Sequence, residues 1–105
     1  MRRGEVWWAN LPPPFGRRPV VLLSRDETYL TRDLIILAPV TTRIRGIPAE
    51  VPLGPEDGLP RACAVNLDTI YTHSKARLQE HITSLRSEKV QAIDGAIHFA
   101  LGLES

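Results

Sequence analysis

The sequence predicts a mainly β domain that ends in one α-helix: a small, strongly curved barrel with the helix packed on it. Three observations carry this expectation. Short bulky or aliphatic runs of strand length fill residues 4–72, divided by proline- and glycine-rich punctuation. The hydrophobic period changes once, near Ser87, to spacings of three and four. A length of 105 residues gives one domain, 1–105, able to bury somewhat more than about 60% of the surface its unfolded chain exposes.

The first strand is "GEVWWANL" (4–11), stopped by Pro12-Pro13-Pro14, which cannot donate to a ladder. Trp7 and Trp8 are adjacent and so face opposite sides: one joins the core, the other is a surface residue or a base-stacking platform. The second strand, "RPVVLLS" (18–24), is a continuous aliphatic run with proline at a tolerated first position. A polar connection leads to "LIILAPVTT" (34–42), where Pro39 suggests a bulge or an edge. "AEVPL" (49–53) is a short strand followed by the loop Gly54-Pro55-Glu56-Asp57-Gly58. "CAVNLDTIYT" (63–72) alternates Ala64, Asn66 and Asp68 with Val65 and Leu67, which puts Asn66 and Asp68 together on a solvated face. Last comes the helix, with Ser87 as N-cap, Glu88 in the first turn, an apolar stripe of Val90, Ile93, Ile97 and Leu101, and Gly102 as C-terminal cap.

Composition narrows the function. Hydrophobic residues at 43% and charged ones at 24% suit a soluble globular protein, and no apolar run approaches the roughly 18 residues of a membrane span. With no secretory signal at the N-terminus, the expected location is the cytoplasm. The lone Cys63 forms no intrachain disulfide and reads as a small buried hydrophobe. Residues 1–50 carry eight arginines and no lysine against five acids, a balance of +3, whereas the remainder carries five basic residues against seven acids, −2. Arginine grips phosphate through two parallel hydrogen bonds, so this half reads either as a solvated face or as an anion-recognition surface.

Several chemistries are excluded. There is no phosphate-cradling glycine loop, no Gly-x-Ser-x-Gly elbow and no histidine pair at helical spacing for a metal, so neither metal nor cofactor is expected. A two-histidine ribonuclease site would need His73 and His81 to converge, and His98 reads as structural.

"RRGEVWWANLPPPFG", "RRPVVLLS", "LIILAPVTT" and "DTIYTHSKARL", followed by a helix closing on "ALGL", resemble the MazF/PemK (Kid) toxins of bacterial type II toxin–antitoxin systems. The likeness spans essentially the whole chain, and its most specific elements are the Arg-Pro opening the second strand and the Pro-x-Thr-Thr closing the third. It implies an SH3-like small barrel of the MazF/CcdB/Kid type and a homodimer. The implied activity is a metal-independent, sequence-specific endoribonuclease acting on single-stranded mRNA, and the implied partner is an acidic antitoxin. The family's essential arginine falls on Arg18 and its essential threonine on Thr41. Some members carry an arginine and an aspartate two apart where this chain has Asn66 and Asp68, which makes Asp68 the candidate general base or base contact. Asn66 is free to read a base edge or to bond locally.

The segment before Arg18 is shorter than the mobile loop of many relatives, and Arg17 stands in for it as a phosphate contact. Thr42, Arg43 and Arg45 extend the basic groove, with Trp8 as its stacking residue. Two other functions share the architecture: a CcdB-like gyrase poison, less consistent with an end reading "LGLES" without tryptophan, and a non-catalytic SH3-like module that binds RNA or protein.

Overall fold

The computed structural model describes residues 1–103. Its elements are β1 (Glu5–Asn10), β2 (Arg17–Leu22), a one-turn α1 (Thr28–Thr31), β3 (Leu34–Thr41), β4 (Glu50–Leu53), β5 (Cys63–Asn66), β6 (Tyr71–Ser74), β7 (Leu78–Ser84) and α2 (Ser87–Ala100). The end of the sequence, Glu104-Ser105, lies outside the described residues. The strands pair in the order β4-β5-β3-β2-β1-β7, with β6 on β3, and every pairing is antiparallel. None of the helices of the described residues is long and apolar enough to cross a membrane.

The expected barrel is an open sheet. It ends at β4 and β7, which do not pair. β4 is four residues long and carries Pro52, which has no N–H to offer a further strand. Helix α2 covers that end instead: Lys89 Nζ donates to the Pro52 carbonyl at 2.7 Å and lies 3.6 Å from the Asp57 carboxylate.

Buried residues lie on both faces of the central strands, which explains the unbroken aliphatic run of β2; in β3 the same holds from Leu37 to Val40, whereas Leu34 and Ile36 are exposed. Alternate residues serve alternate cores. Val21, Leu23, Ala38, Val40, Val65 and Leu67 pack with Ile93 and Ala96 of α2, while Ala9, Val20, Leu22, Ile35 and Leu37 pack with Tyr29 of α1 and with Trp7, Phe15 and Tyr71. The Tyr29 hydroxyl donates to the Ser24 carbonyl at 3.0 Å.

The structure departs from the periodicity in four places. The expected strand 63–72 is two strands, because the Asn66 side chain turns the chain: its Oδ1 accepts the Asp68 N–H at 2.9 Å and its Nδ2 donates to Thr69 Oγ1 at 3.2 Å. Ala64, expected on a solvated face, is fully buried, flanked by its strand partners Thr41 of β3 and Pro52 of β4. β7, polar at Gln79-Glu80-His81, is held by pairing with β1 rather than by its own pattern. In α2, Arg86 rather than Ser87 is the N-cap, and Leu101 is exposed, as is His98. Gly102 does cap the C-terminus, at φ +67°, with Leu103 N–H donating to the His98 carbonyl at 2.9 Å. Pro39 is buried within β3, where the strand changes neighbour: residues Leu34–Leu37 pair β6, and Val40 and Thr41 pair β5.

Two stability measurements follow. Ile93 is 1% exposed at the junction of helix and sheet, so Ile93→Ala costs about 2–5 kcal/mol, read from the shift of the denaturant midpoint. Burial pushes the Tyr29 phenol up to about 12 from 10.0, with the nearby Asp26 adding to the shift. The folded state therefore holds the phenolic proton after the unfolded chain has released it. Stability that is full below pH 10 falls by up to about 3 kcal/mol as the pH passes from 10 to 12, read by unfolding at stepped alkaline pH.

Candidate active site

The cleft is a product of strand register. β2 pairs with β3 through Leu22–Leu37, Val21–Ala38 and Val20–Pro39, and the ladder stops there; the next position on β2 is Pro19, which has no N–H. Carried two residues further, the same register sets Arg18 across from Thr41. Across β5, Thr41 pairs with Ala64, and Asn66 pairs with Glu50 of β4. Opposed residues in antiparallel strands share a face and neighbours alternate, so Arg18, Pro39, Thr41, Asn66 and Glu50 all point the same way. They line one cleft of about 240 Å³, together with Phe15, Arg43, Arg45 and Thr69.

Arg18 is braced before any ligand arrives. Its Nε donates to the Phe15 carbonyl at 2.9 Å, and its guanidinium carbon lies 5.5 Å from the Phe15 ring centroid. Phe15 in turn packs edge-on against Tyr71 at 4.9 Å, so the short segment before Arg18 is folded onto the sheet. Thr41 Oγ1 accepts the Arg43 N–H at 3.0 Å, which leaves its hydroxyl proton free to donate. Among the described residues, no carboxylate lies in ion-pairing range of Arg17, Arg18, Arg43 or Arg45.

Two concavities adjoin the cleft. One, of about 190 Å³, is lined by Trp8, Arg17, Arg18, Pro19, Val40, Thr41 and Thr42; the other, of about 230 Å³, by Trp8, Pro19, Val40, Thr41, Thr42, Leu59, Pro60, Arg61 and Cys63. Thr41 borders all three. Arg17 lies 4.3 Å over the Trp8 ring and donates through Nε to Gln79 Oε1 at 3.0 Å, so one face of Trp8 is already stacked. Trp7 faces the other side, packing on the core and donating to Glu5 Oε1 at 2.9 Å.

Eight of the nine residues singled out in the sequence thus meet around one junction. Asp68 is the exception, on the exposed turn after β5 and outside the lining of all three hollows. His73 and His81 have separate aromatic neighbours, Tyr71 and Trp7, each at 5.6 Å. Among the described residues no group of three histidine, cysteine or acidic side chains is placed to hold a metal ion. Cys63 is buried, and burial, reinforced by Asp57 and Glu56, pushes its thiol up and keeps it protonated.

Among the lining residues that the sequence did not single out, Phe15, Glu50, Arg61 and Thr69 carry an aromatic, charged or hydroxyl side chain. Phe15 precedes the Arg-Pro step at bracing distance and was the most discoverable. Glu50 was hidden, because nothing local connects the first residue of a short strand to Arg18.

An antiparallel sheet with a C-terminal helix, and with Arg17, Arg18, Arg43 and Arg45 gathered around one junction without a carboxylate partner among the described residues, defines a small β domain with a basic cleft. The chain belongs to the PemK-like, MazF-like toxins of type II toxin–antitoxin systems, whose family model matches residues 2–101. A Mycobacterium tuberculosis (strain ATCC 25618 / H37Rv) protein named probable endoribonuclease MazF5 is 43% identical over 100 residues, 94% of this chain and 91% of that protein. The solved structure of Mycobacterium tuberculosis toxin MazF-mt6 matches with a TM-score of 0.88 at 29% identity, over 96% of this chain and 99% of that one. An endoribonuclease in complex with its cognate antitoxin, from a mycobacterial species, matches with the same TM-score at 28% identity, over 100% and 98%.

Proposed function

We propose that this toxin is an endoribonuclease that cleaves single-stranded mRNA by attack of the 2′-hydroxyl on the adjacent phosphate, leaving a 2′,3′-cyclic phosphate and a 5′-hydroxyl. The observation that carries this reading is the convergence of a braced, unpaired Arg18 with Thr41 on one cleft. As the 2′-oxygen bonds to phosphorus, negative charge grows on the non-bridging oxygens. A guanidinium already aimed at that position stabilises the transition state more than the ground state, and the Thr41 hydroxyl donates to the same oxygens.

Arg17, Arg43 and Arg45 track the phosphates on either side, with Thr42 at the junction. Asn66 presents its amide at the cleft wall for a base edge, and Trp8, capped by Arg17, offers a stacked pair rather than a bare ring. Asp68, exposed on the turn next to Asn66, is assigned to substrate contact at the rim. An acidic antitoxin segment fits the same unpaired arginines. A homodimer is supported by Phe99, Leu101 and Leu103, which are 49%, 59% and 60% exposed at the end of α2.

The test is direct. Purified protein incubated with unstructured RNA in EDTA gives discrete cuts with 5′-hydroxyl ends. Arg18→Ala lowers the cleavage rate by about 10²–10³-fold, and a single 2′-deoxynucleotide at the cut abolishes it. Intact RNA from folded wild-type protein would sink the ribonuclease reading in favour of a binding module or a gyrase poison.

A further inference from the structure

We infer that Glu50 is the catalytic base, the group that takes the proton from the attacking 2′-hydroxyl; the inference rests on the ribonuclease reading above. Glu50 is the one acidic residue lining the cleft that holds Arg18 and Thr41. Its place is set by register, opposite Asn66 and on the face shared with Thr41.

The carboxylate is divided in its duties. Oε1 accepts the backbone N–H of Arg45 at 2.9 Å and of Gly46 at 3.1 Å, which fastens the loop between β3 and β4. Oε2 has no hydrogen-bond partner among the described residues and is not one of their sealed, unpartnered oxygens, and the residue lines the cleft. The residue as a whole is only 8% exposed. A buried carboxylate that makes no ion pair is costly unless something completes its hydrogen bonding. Two amides satisfy one oxygen; the substrate completes the other.

What approaches Oε2 has to be a donor. The phosphate oxygens of a bound RNA are repelled by a carboxylate and are drawn to Arg18, Arg43 and Arg45, which line the same cleft. The donor that lies beside a scissile phosphate in RNA and is absent from DNA is the 2′-hydroxyl. The step balances as follows. The 2′-hydroxyl proton passes to Glu50 as the 2′-oxygen bonds to phosphorus; the bond from phosphorus to the 5′-oxygen breaks. The departing 5′-oxygen takes a proton from water, and Glu50 returns its proton to solvent. Arginine is unsuited to this task, since it stays protonated in proteins. Asp68 is the alternative acid, but it stands on the exposed turn outside the cleft lining.

Glu50→Gln separates base from anchor, because the amide keeps the size and one oxygen to accept the loop N–H groups but cannot take the proton. With RNA oligonucleotides, E50Q lowers single-turnover cleavage by about 10²–10⁴-fold while binding of the 2′-deoxy oligonucleotide stays within about 3-fold of wild type. Asp68→Asn, a rim contact, weakens oligonucleotide binding under the same conditions and loses far less of the single-turnover rate than E50Q. Circular dichroism checks that both variants are folded. Near-wild-type cutting by E50Q overturns the assignment, as does a large loss in D68N with E50Q active. Loss of oligonucleotide binding equal to the loss of rate makes Glu50 a loop anchor, and a changed cut sequence at unchanged rate makes it a base reader; each refutes the assignment. Wild-type protein that cuts nothing removes the ribonuclease reading and this assignment together, whereas the other outcomes spare that reading.

Discussion

The site depends on one constraint, the register of β2 against β3 and its stop at Val20–Pro39. Proline at position 19 removes a ladder donor, so the strands separate just beyond that pair, while still close enough for Arg18 and Thr41 to face each other. A slip of one residue would send Arg18 to the opposite face, away from Thr41's partners on β5 and β4. Pro39 also marks where β3 exchanges β6 for β5, which brings Asn66 and Glu50 to the same end of the sheet. One pairing thus positions residues drawn from four strands.

That register is held by burial on both faces. A sheet with one solvated face tolerates local adjustment, because half its side chains pack on nothing. Here Val20 and Leu22 of β2 enter one core and Val21 the other, and β3 sends Ile35 and Leu37 to one and Ala38 and Val40 to the other, with α2 covering the core of Val21 and α1, Trp7 and Phe15 that of Val20. The second core runs directly into the cleft: Phe15 packs with Tyr71 on one side and braces Arg18 on the other. Core packing and guanidinium orientation are therefore one arrangement. A charged group fixed in this way spends little conformational freedom when a phosphate docks, which is the physical content of preorganisation.

The legible parts of the fold were those whose signals are local. Aliphatic runs, proline stops and the change of period near residue 87 located β1 to β4 and α2. The division into β5 and β6 was not legible, because Asn66 is compatible with strand alternation and only its side-chain bonds to Asp68 and Thr69 reveal a turn. β7 was invisible for a related reason: an edge strand with Gln79-Glu80-His81 gets its identity from β1. The barrel expected from short strands proved an open sheet, because closure depends on edges that no local pattern reports. In the site, Arg18 and Thr41 stood out through the family resemblance, carried by the Arg-Pro and Pro-x-Thr-Thr steps that contain them. Glu50 did not, since its relation to them passes through two strand pairings.

The charge pattern of the sequence acquires a structural cause. An arginine with a nearby carboxylate spends its hydrogen bonds internally, as Arg3 does with Asp94 at 2.6 Å, where it ties the N-terminal segment to α2. The arginines of the cleft have no such partner among the described residues, and the acid among them, Glu50, turns one oxygen to backbone amides instead. Leaving several cations together unpaired raises the energy of the empty site through mutual repulsion. A polyanion relieves that repulsion wherever it contacts the groove, whether it is RNA or an acidic antitoxin segment. The proposed RNA and antitoxin partners therefore compete for the same charges, and both bind less tightly as salt rises. Only one of them brings a 2′-hydroxyl to the carboxylate. Arg17, Arg43 and Arg45 would then account for attraction, and the discrimination between a bound chain and a cut one would fall to Arg18, Thr41 and Glu50.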